Sequence, residues 1–229
     1  MFITPFNYNN DFLSQMLYKG KVMYCIDRML PDNNLEDKFR FSKDQMEWVL
    51  NNELDVVSIE KSKLRSQNFK ENMKRLNFNP NLINANAENY MPNFKADVIL
   101  IDAPCSATGT IRKNPDIFIK PAPINLDDLI LTQDNILNNA SRILERNGLI
   151  MYVTCSLQKI EGERRIEKFL KNNPHFSILS FLPNDYPMIN DCITKEGFIR
   201  ILPNYFNFNC DNVINGSDGF FIALLKMGQ

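Results

Sequence analysis

The sequence predicts an α/β fold with a mostly parallel sheet and an antiparallel carboxyl-terminal edge. Three observations carry this. Short apolar, β-branched runs alternate with amphipathic stretches through the middle of the chain, as in a parallel sheet covered by helices on both faces. Two of those runs, at 97–101 and 148–154, pass directly into polar clusters that each hold a cysteine. The segments beyond residue 175 read as strands without intervening helices, which suits an antiparallel addition at one edge.

Residues 1–35 carry no clean period, although Phe12 to Met23 is mildly apolar and Pro31-Asp32-Asn33-Asn34 is a turn signal. Lys43 to Asn51 reads as a helix, with Ser42 as its N-cap and Met46, Val49 and Leu50 on one face. Leu54 to Ile59 reads as a strand that ends in Glu60. Lys61 to Leu76 follows as a helix, with Leu64, Phe69, Met73 and Leu76 roughly on one side. Asn81 to Asn84 is a short strand, and Tyr90 to Lys95 a loop into the strand at 97–101. Pro115, Pro121 and Pro123 forbid a long helix in 110–125. Asp127 to Glu145 is a helix closed by Arg146-Asn147-Gly148, and Gly148 to Thr154 is the next strand. Glu161 to Lys171 is a helix stopped by Asn172-Asn173-Pro174. Phe176–Phe181, Phe198–Leu202 and Gly219–Leu225 complete the strands. Internal repeats, low-complexity stretches and linkers are not seen.

With 26 Lys plus Arg against 27 Asp plus Glu, bulk electrostatic binding of nucleic acid is not expected, though a local basic patch can serve. No run approaches the roughly 20 apolar residues of a membrane span, and Met1-Phe2-Ile3-Thr4 lacks the charged start of a signal peptide. The 5 cysteines are odd in number and show no pairing rhythm, which suits a reducing compartment and a cytoplasmic protein. None forms C-x-x-C and His175 is the single histidine, so no metal site is expected.

The stretch Asp102-Ala103-Pro104-Cys105-Ser106-Ala107-Thr108-Gly109 sits at a strand's carboxyl end, where open α/β sheets place ligands. Thr154-Cys155-Ser156 repeats that placement. Asp102 can hydrogen-bond a base or serve as a turn aspartate. Cys105 and Cys155 can be inert small hydrophobes or nucleophiles; their turn-forming polar neighbours favour the second. Glu60, ending a strand before a helix, stands where ribose-gripping acids sit, or is a solvated acid. Arg112 and Lys113 can meet phosphate, lower a thiol pKa, or be plain surface charge. The charges from Lys159 to Lys168, Glu161 and Arg165 among them, read mainly as a solvated helix face.

Asp-Ala-Pro-Cys-Ser-Ala-Thr-Gly at 102–109, followed by Ile-Arg-Lys-Asn-Pro-Asp at 111–116, resembles the fourth motif of the RNA cytosine-5 methyltransferases of the NOL1/NOP2/Sun family. Tyr152-Val153-Thr154-Cys155-Ser156-Leu157, with Glu161 soon after, resembles its sixth motif. Asp218-Gly219-Phe220-Phe221-Ile222-Ala223 resembles its last strand. The likeness runs from about residue 43 to 227, and by this pattern the nearest relatives resemble bacterial ribosomal-RNA enzymes. The resemblance implies a class I (Rossmann-like) methyltransferase fold, S-adenosylmethionine as methyl donor and RNA, in particular rRNA, as substrate. It implies that Cys155 is the nucleophile toward carbon 6 of a cytosine. Asp102 then hydrogen-bonds the ring and supports protonation at nitrogen 3, and Cys105 helps remove the carbon 5 proton and release the adduct. Glu60 corresponds to the family's ribose-binding acid, and Asn86 stands where an aspartate near the adenine is usual.

The chain departs from the family at the first motif, a strand followed by a glycine-rich loop. Lys43 has the right spacing before Glu60, but Asp37-Lys38-Phe39-Arg40-Phe41-Ser42 before it holds neither glycine nor proline, and no apolar first strand is evident. Residues 1–42 are therefore expected to be a divergent or damaged amino-terminal segment, and 43–229 the methyltransferase catalytic domain. A non-catalytic RNA-binding remnant that has lost the cofactor stays open beside the enzyme.

Overall fold

In a computed structural model, the described residues are 21–26, 55–75, 81–119, 125–181, 187–205 and 216–228. Their strands are β1 (Lys21–Ile26), β2 (Asp55–Ile59), β3 (Asn81–Ile83), β4 (Ala96–Asp102), β5 (Leu144–Thr154), β6 (Phe176–Ile178), β7 (Ile199–Ile201) and β8 (Phe220–Met227). Helices are α1 (Lys63–Arg75), α2 (Leu126–Ile143) and α3 (Glu163–Asn172). The sheet runs β3-β2-β1-β4-β5-β8-β6, with β7 also paired to β8. β3, β2, β1, β4 and β5 are mutually parallel, while β8 runs antiparallel to β5, β6 and β7. The expected parallel sheet with an antiparallel carboxyl-terminal edge is thus present.

One strand was not legible in the sequence. β1 pairs Val22 with Val56 of β2 and with Val98 of β4, and so holds the centre of the parallel half. The helix expected at Lys43–Asn51 lies outside the described residues.

Alternation along β5 and β8 builds two cores, because successive side chains point to opposite faces. Ile150 and Tyr152 of β5 and Phe221, Ala223 and Leu225 of β8 join one cluster with α2 (Ile136, Leu137, Ala140, Ile143) and α3 (Ile166, Phe169). On the other face Met151 and Val153 pack with Ile222, Leu224, Phe181, Ile189 and Cys192. Ile99, Ile101 and Ile150 are fully buried, each contributing about 1.5–3 kcal/mol relative to exposure.

The junction between α2 and β5 differs from expectation. α2 ends at Ile143, and β5 begins at once with Leu144 opposite Ala96. Arg146-Asn147-Gly148 therefore makes a bulge inside β5 rather than a helix cap: the register shifts between Ala96 and Val98, and Asn147 takes φ 62°. A Cβ on Gly148 would stand 2.9 Å from the Asp97 carbonyl oxygen, so the bulge requires a residue without one. At its other end α2 is capped by Asn125, whose side chain accepts from the Asp127 and Asp128 amides.

Because the strands from β3 to β5 are parallel, their carboxyl ends share one edge. The chain order reverses at β1, which lies between β2 and β4; this is the switch point where such sheets open a ligand crevice.

Candidate active site

β4 and β5 bring their terminal residues side by side. Asp102 is paired with Val153, and the Ala103 amide donates to the Val153 carbonyl at 2.9 Å. Beyond Asp102 and Thr154 the two strands end, and Cys105 and Cys155 face each other with their sulfurs 3.5 Å apart. Both thiols are free. Cys155 is buried and Cys105 half-buried. The Cys105 thiol is pushed well above its ordinary value, first by its hydrogen bond to Cys155, then by burial, and then by negative charge on Cys155 and Glu161.

Beneath the thiols lies a buried polar network. Glu161 is fully buried, and its carboxylate accepts from the Ser106 amide at 2.8 Å, the Ser106 and Ser156 hydroxyls at 2.5 Å each, and Gln133 Nε2 at 3.1 Å. Gln133 Nε2 also donates to the Pro104 carbonyl at 2.7 Å. Farther along the first loop, the Leu157 amide donates to Thr108 Oγ1 at 3.0 Å and the Gly109 amide to the Cys155 carbonyl at 2.8 Å.

Glu161 and Arg165 correct the solvated-face reading. Glu161 lies in a short turn, Lys159–Glu161, ahead of α3, and Gly162 separates the two. Arg165 is buried; Nη1 donates to both Asp134 carboxylate oxygens at 3.0 Å and Nε to the Ile160 carbonyl at 2.8 Å. Gln133 was likewise missed. It sits on the apolar stripe of α2, where periodicity expects a hydrophobe, and a lone amide on such a stripe is the signal that points to it.

Of the basic pair after the fourth motif, Lys113 donates to Asp218 at 2.8 Å, and Arg112 is exposed. Lys113 therefore ties that loop to the approach to β8. Arg200 of β7 adds a further link: its guanidinium grips Glu163, donates to the Ser156 carbonyl at 2.8 Å, and lies 4.7 Å over the Phe221 ring.

Glu60 ends β2 on the same edge as Asp102. It is 2 % exposed, not solvated; Oε1 accepts from the Ser62 amide at 2.7 Å and Arg65 Nη2 at 2.8 Å. Asn86 follows β3 in a turn, its Oδ1 accepting from the Glu88 amide at 3.1 Å and its Nδ2 donating to Glu88 at 3.2 Å. Along the edge stand a carboxylate after β2, an amide after β3 and a half-buried carboxylate at the last residue of β4. That donor set fits a nucleoside, whose ribose hydroxyls need acceptors and whose base amine needs an amide or carboxylate.

A class I methyltransferase sheet with two thiols at the ends of adjacent strands defines the class. The particular family follows from comparison. Residues 44–226 match the model of the 16S rRNA methyltransferase RsmB/F family, and the chain belongs to it. The methyl donor of this family is S-adenosylmethionine.

The chain is 33% identical over 176 residues to ribosomal RNA small subunit methyltransferase B of Photorhabdus laumondii, covering 76% of this chain and 37% of that one. It is 32% identical over 135 residues to methyltransferase F of Escherichia coli O1:K1, covering 58% and 26%. The chain thus spans about a quarter to two fifths of the curated relatives' length. Among solved structures, NSun6 from Pyrococcus horikoshii superposes with a TM-score of 0.67 at 22% identity, covering 93% of this chain and 49% of that one. A methyltransferase homolog from the same organism gives 0.63 at 19%, covering 94% and 64%. At these identities the two superpositions speak for the fold.

Among the described residues no helix is long and apolar enough to cross a membrane, and no cluster of His, Cys, Asp or Glu is placed to hold a metal.

Proposed function

We propose that this chain methylates carbon 5 of a cytidine in ribosomal RNA through a covalent bond from Cys155 to carbon 6. The observation that carries the reading is the pair of sulfurs 3.5 Å apart at the ends of two adjacent parallel strands. Cys155 attacks as the thiolate. Its electron pair forms the carbon 6–sulfur bond, and the ring's π pair moves to carbon 5 while nitrogen 3 takes a proton supported by Asp102. When bound, S-adenosylmethionine supplies an electrophilic methyl group for that carbon. Glu60, Asn86 and Asp102 would be the residues that hold it.

Formation of the thioether then changes Cys105. The hydrogen-bond partner and the charge of Cys155 are consumed, while burial and Glu161 still hold the thiol up, so ionisation of Cys105 becomes easier; in this scheme it gives its proton to solvent through its exposed side and acts as the base. It takes the carbon 5 proton. The freed electron pair restores the 5,6 double bond and expels Cys155 as thiolate, and nitrogen 3 gives up the proton it had taken beside Asp102, leaving neutral 5-methylcytosine. A cytosine stacked in a duplex offers carbon 6 no approach, so the target is an unpaired or flipped nucleotide.

The test uses protein-free 16S rRNA with methyl-labelled donor. Cys155→Ala is expected to transfer no label, and Cys105→Ala to accumulate a protein–RNA adduct that survives denaturation. Full transfer by Cys155→Ala overturns the reading.

The sequence between β1 and β2 favours a second reading. Residues 27–54 contain no glycine, the residue that close backbone approach to the donor's methionine part favours. On that reading the chain binds RNA without methylating it. Calorimetric titration with S-adenosylmethionine and S-adenosylhomocysteine decides: saturable binding of either excludes it.

A further inference from the structure

The β4–β5 ladder ends at Ala103 and Val153, yet the two sulfurs two residues farther on are held 3.5 Å apart. Something past the sheet must set that separation. The residue after each cysteine is a serine, and both serine hydroxyls donate to the same oxygen, Glu161 Oε2, at 2.5 Å, while lying 3.1 Å from each other. The other oxygen accepts from the Ser106 amide, which fixes the peptide joining Cys105 to Ser106. Glu161 is itself braced from the core: the fully buried Tyr152 hydroxyl donates to its carbonyl at 2.9 Å, and Gln133 of α2 donates to its carboxylate. A fully buried carboxylate is costly unless hydrogen-bonded, and here four donors offset that cost. Two of those side chains and one amide belong to the residues that follow the thiols.

We infer that Glu161 is a positioning residue: its carboxylate fastens the Cys105 loop to the Cys155 loop and thereby sets the distance between the two sulfurs. This rests on the two-thiol chemistry proposed above, but the link it describes exists without RNA or methyl donor. Replacement by glutamine keeps the shape and removes the charge; one of its two ends then presents N–H to groups that donate, and the serine loops lose their common anchor. Loss of the charge also relieves one of the influences that hold the Cys105 proton.

Phenylarsine oxide reads the separation directly, because one arsenic condenses with two neighbouring thiols and releases water. The wild-type protein is expected to bind it at equimolar ratio, and Cys105→Ala or Cys155→Ala to lose that binding. Glu161→Gln and Glu161→Asp should bind it about tenfold more weakly or worse, the equivalent of one lost charge-assisted hydrogen bond. Site-resolved alkylation should show Cys105 reacting at lower pH in Glu161→Gln. Asp134→Asn, which weakens the α2–α3 contact elsewhere, should alter neither readout. Should the Glu161 variants not fold, Ser156→Ala keeps the carboxylate and removes one anchor, and it should weaken arsenical binding in the same direction. Wild-type affinity with an unchanged alkylation profile in Glu161→Gln, or in Ser156→Ala when that alone folds, overturns the inference. A wild-type protein that binds the arsenical but transfers no methyl group overturns the methyltransferase reading and leaves Glu161's role standing.

Discussion

Gly109 and Gly219 meet backbone to backbone: the Gly219 amide donates to the Gly109 carbonyl at 2.7 Å, and a Cβ on Gly109 would stand 2.1 Å from the Gly219 carbonyl oxygen. The same glycine donates its amide to the Cys155 carbonyl. Gly109 thus joins the Cys105 loop, the Cys155 loop and the entry to β8 at a point where no side chain fits.

Gly109→Ala is accordingly expected to cost about 1–3 kcal/mol of stability by overpacking. Since the displaced backbone carries the bond to Cys155, methyl transfer should fall more than donor affinity does. Urea unfolding beside calorimetric titration checks both. Unchanged unfolding would mean that β8 can move aside freely.

Alkaline pH should destabilise the fold. Burial pushes the Cys192 thiol up to about 11 and holds the Tyr152 hydroxyl well above its ordinary value, while Cys105 is raised mainly by its hydrogen bond to Cys155. A group with a raised folded pKa binds its proton more tightly when folded. Its contribution is complete below the unfolded value, near 9.0 for these thiols, and is lost as pH rises through the folded one. Unfolding free energy should therefore be flat from neutrality to about pH 8 and fall between 9.0 and 11. Cys192→Ala should flatten that fall, whatever its offset at neutral pH. A rise in stability over the window would contradict the assignment.

The parts legible in the sequence were those that local pattern dictates. Apolar runs with polar ends marked β2, β4, β5 and β8, and the residues at the ends of the parallel three, Glu60, Asp102, Cys105 and Cys155, share one edge because parallel strands align their ends. β1 was not legible: Lys-Val-Met-Tyr-Cys-Ile is short, lacks alternation, and is specified by pairing on both sides with β2 and β4. Glu161 escaped because a charged residue next to an amphipathic helix has the pattern of a solvated face. What buries it is the approach of the Ser106 loop from fifty-five residues earlier, which no local period records.

Arg200 should be intolerant of lysine. Its guanidinium meets Glu163 through two nitrogens, the Ser156 carbonyl through a third, and the Phe221 ring through its face. A lysine ammonium lacks the planar fork needed to make all these contacts. Arg200→Lys is expected to cost about 2–3 kcal/mol for the lost charged hydrogen bonds. A double-mutant cycle with Glu163→Gln should show coupling between the two, and additivity would show that the pair contributes little.

Glu60 offers the most direct test of the proposed donor site. Its Oε1 is occupied by the Ser62 amide and Arg65, so it serves both the start of α1 and the sheet edge where a ribose would lie. Glu60→Gln presents either an amide oxygen or an amide nitrogen toward Ser62 and Arg65, and on the edge it exchanges a charged acceptor for a neutral one. Loss of a charged hydrogen bond to a ribose hydroxyl is worth about 1.5–3 kcal/mol, or roughly tenfold to a hundredfold in affinity. Titration with S-adenosylhomocysteine should show that loss while RNA affinity stays constant. Equal weakening of RNA and donor binding would instead point to a general loosening of the β2–α1 corner, and Arg65→Met separates the two, since it breaks the structural contact and leaves the carboxylate. If Arg65→Met reproduces the whole donor defect, Glu60 acts on the fold and not on the ribose.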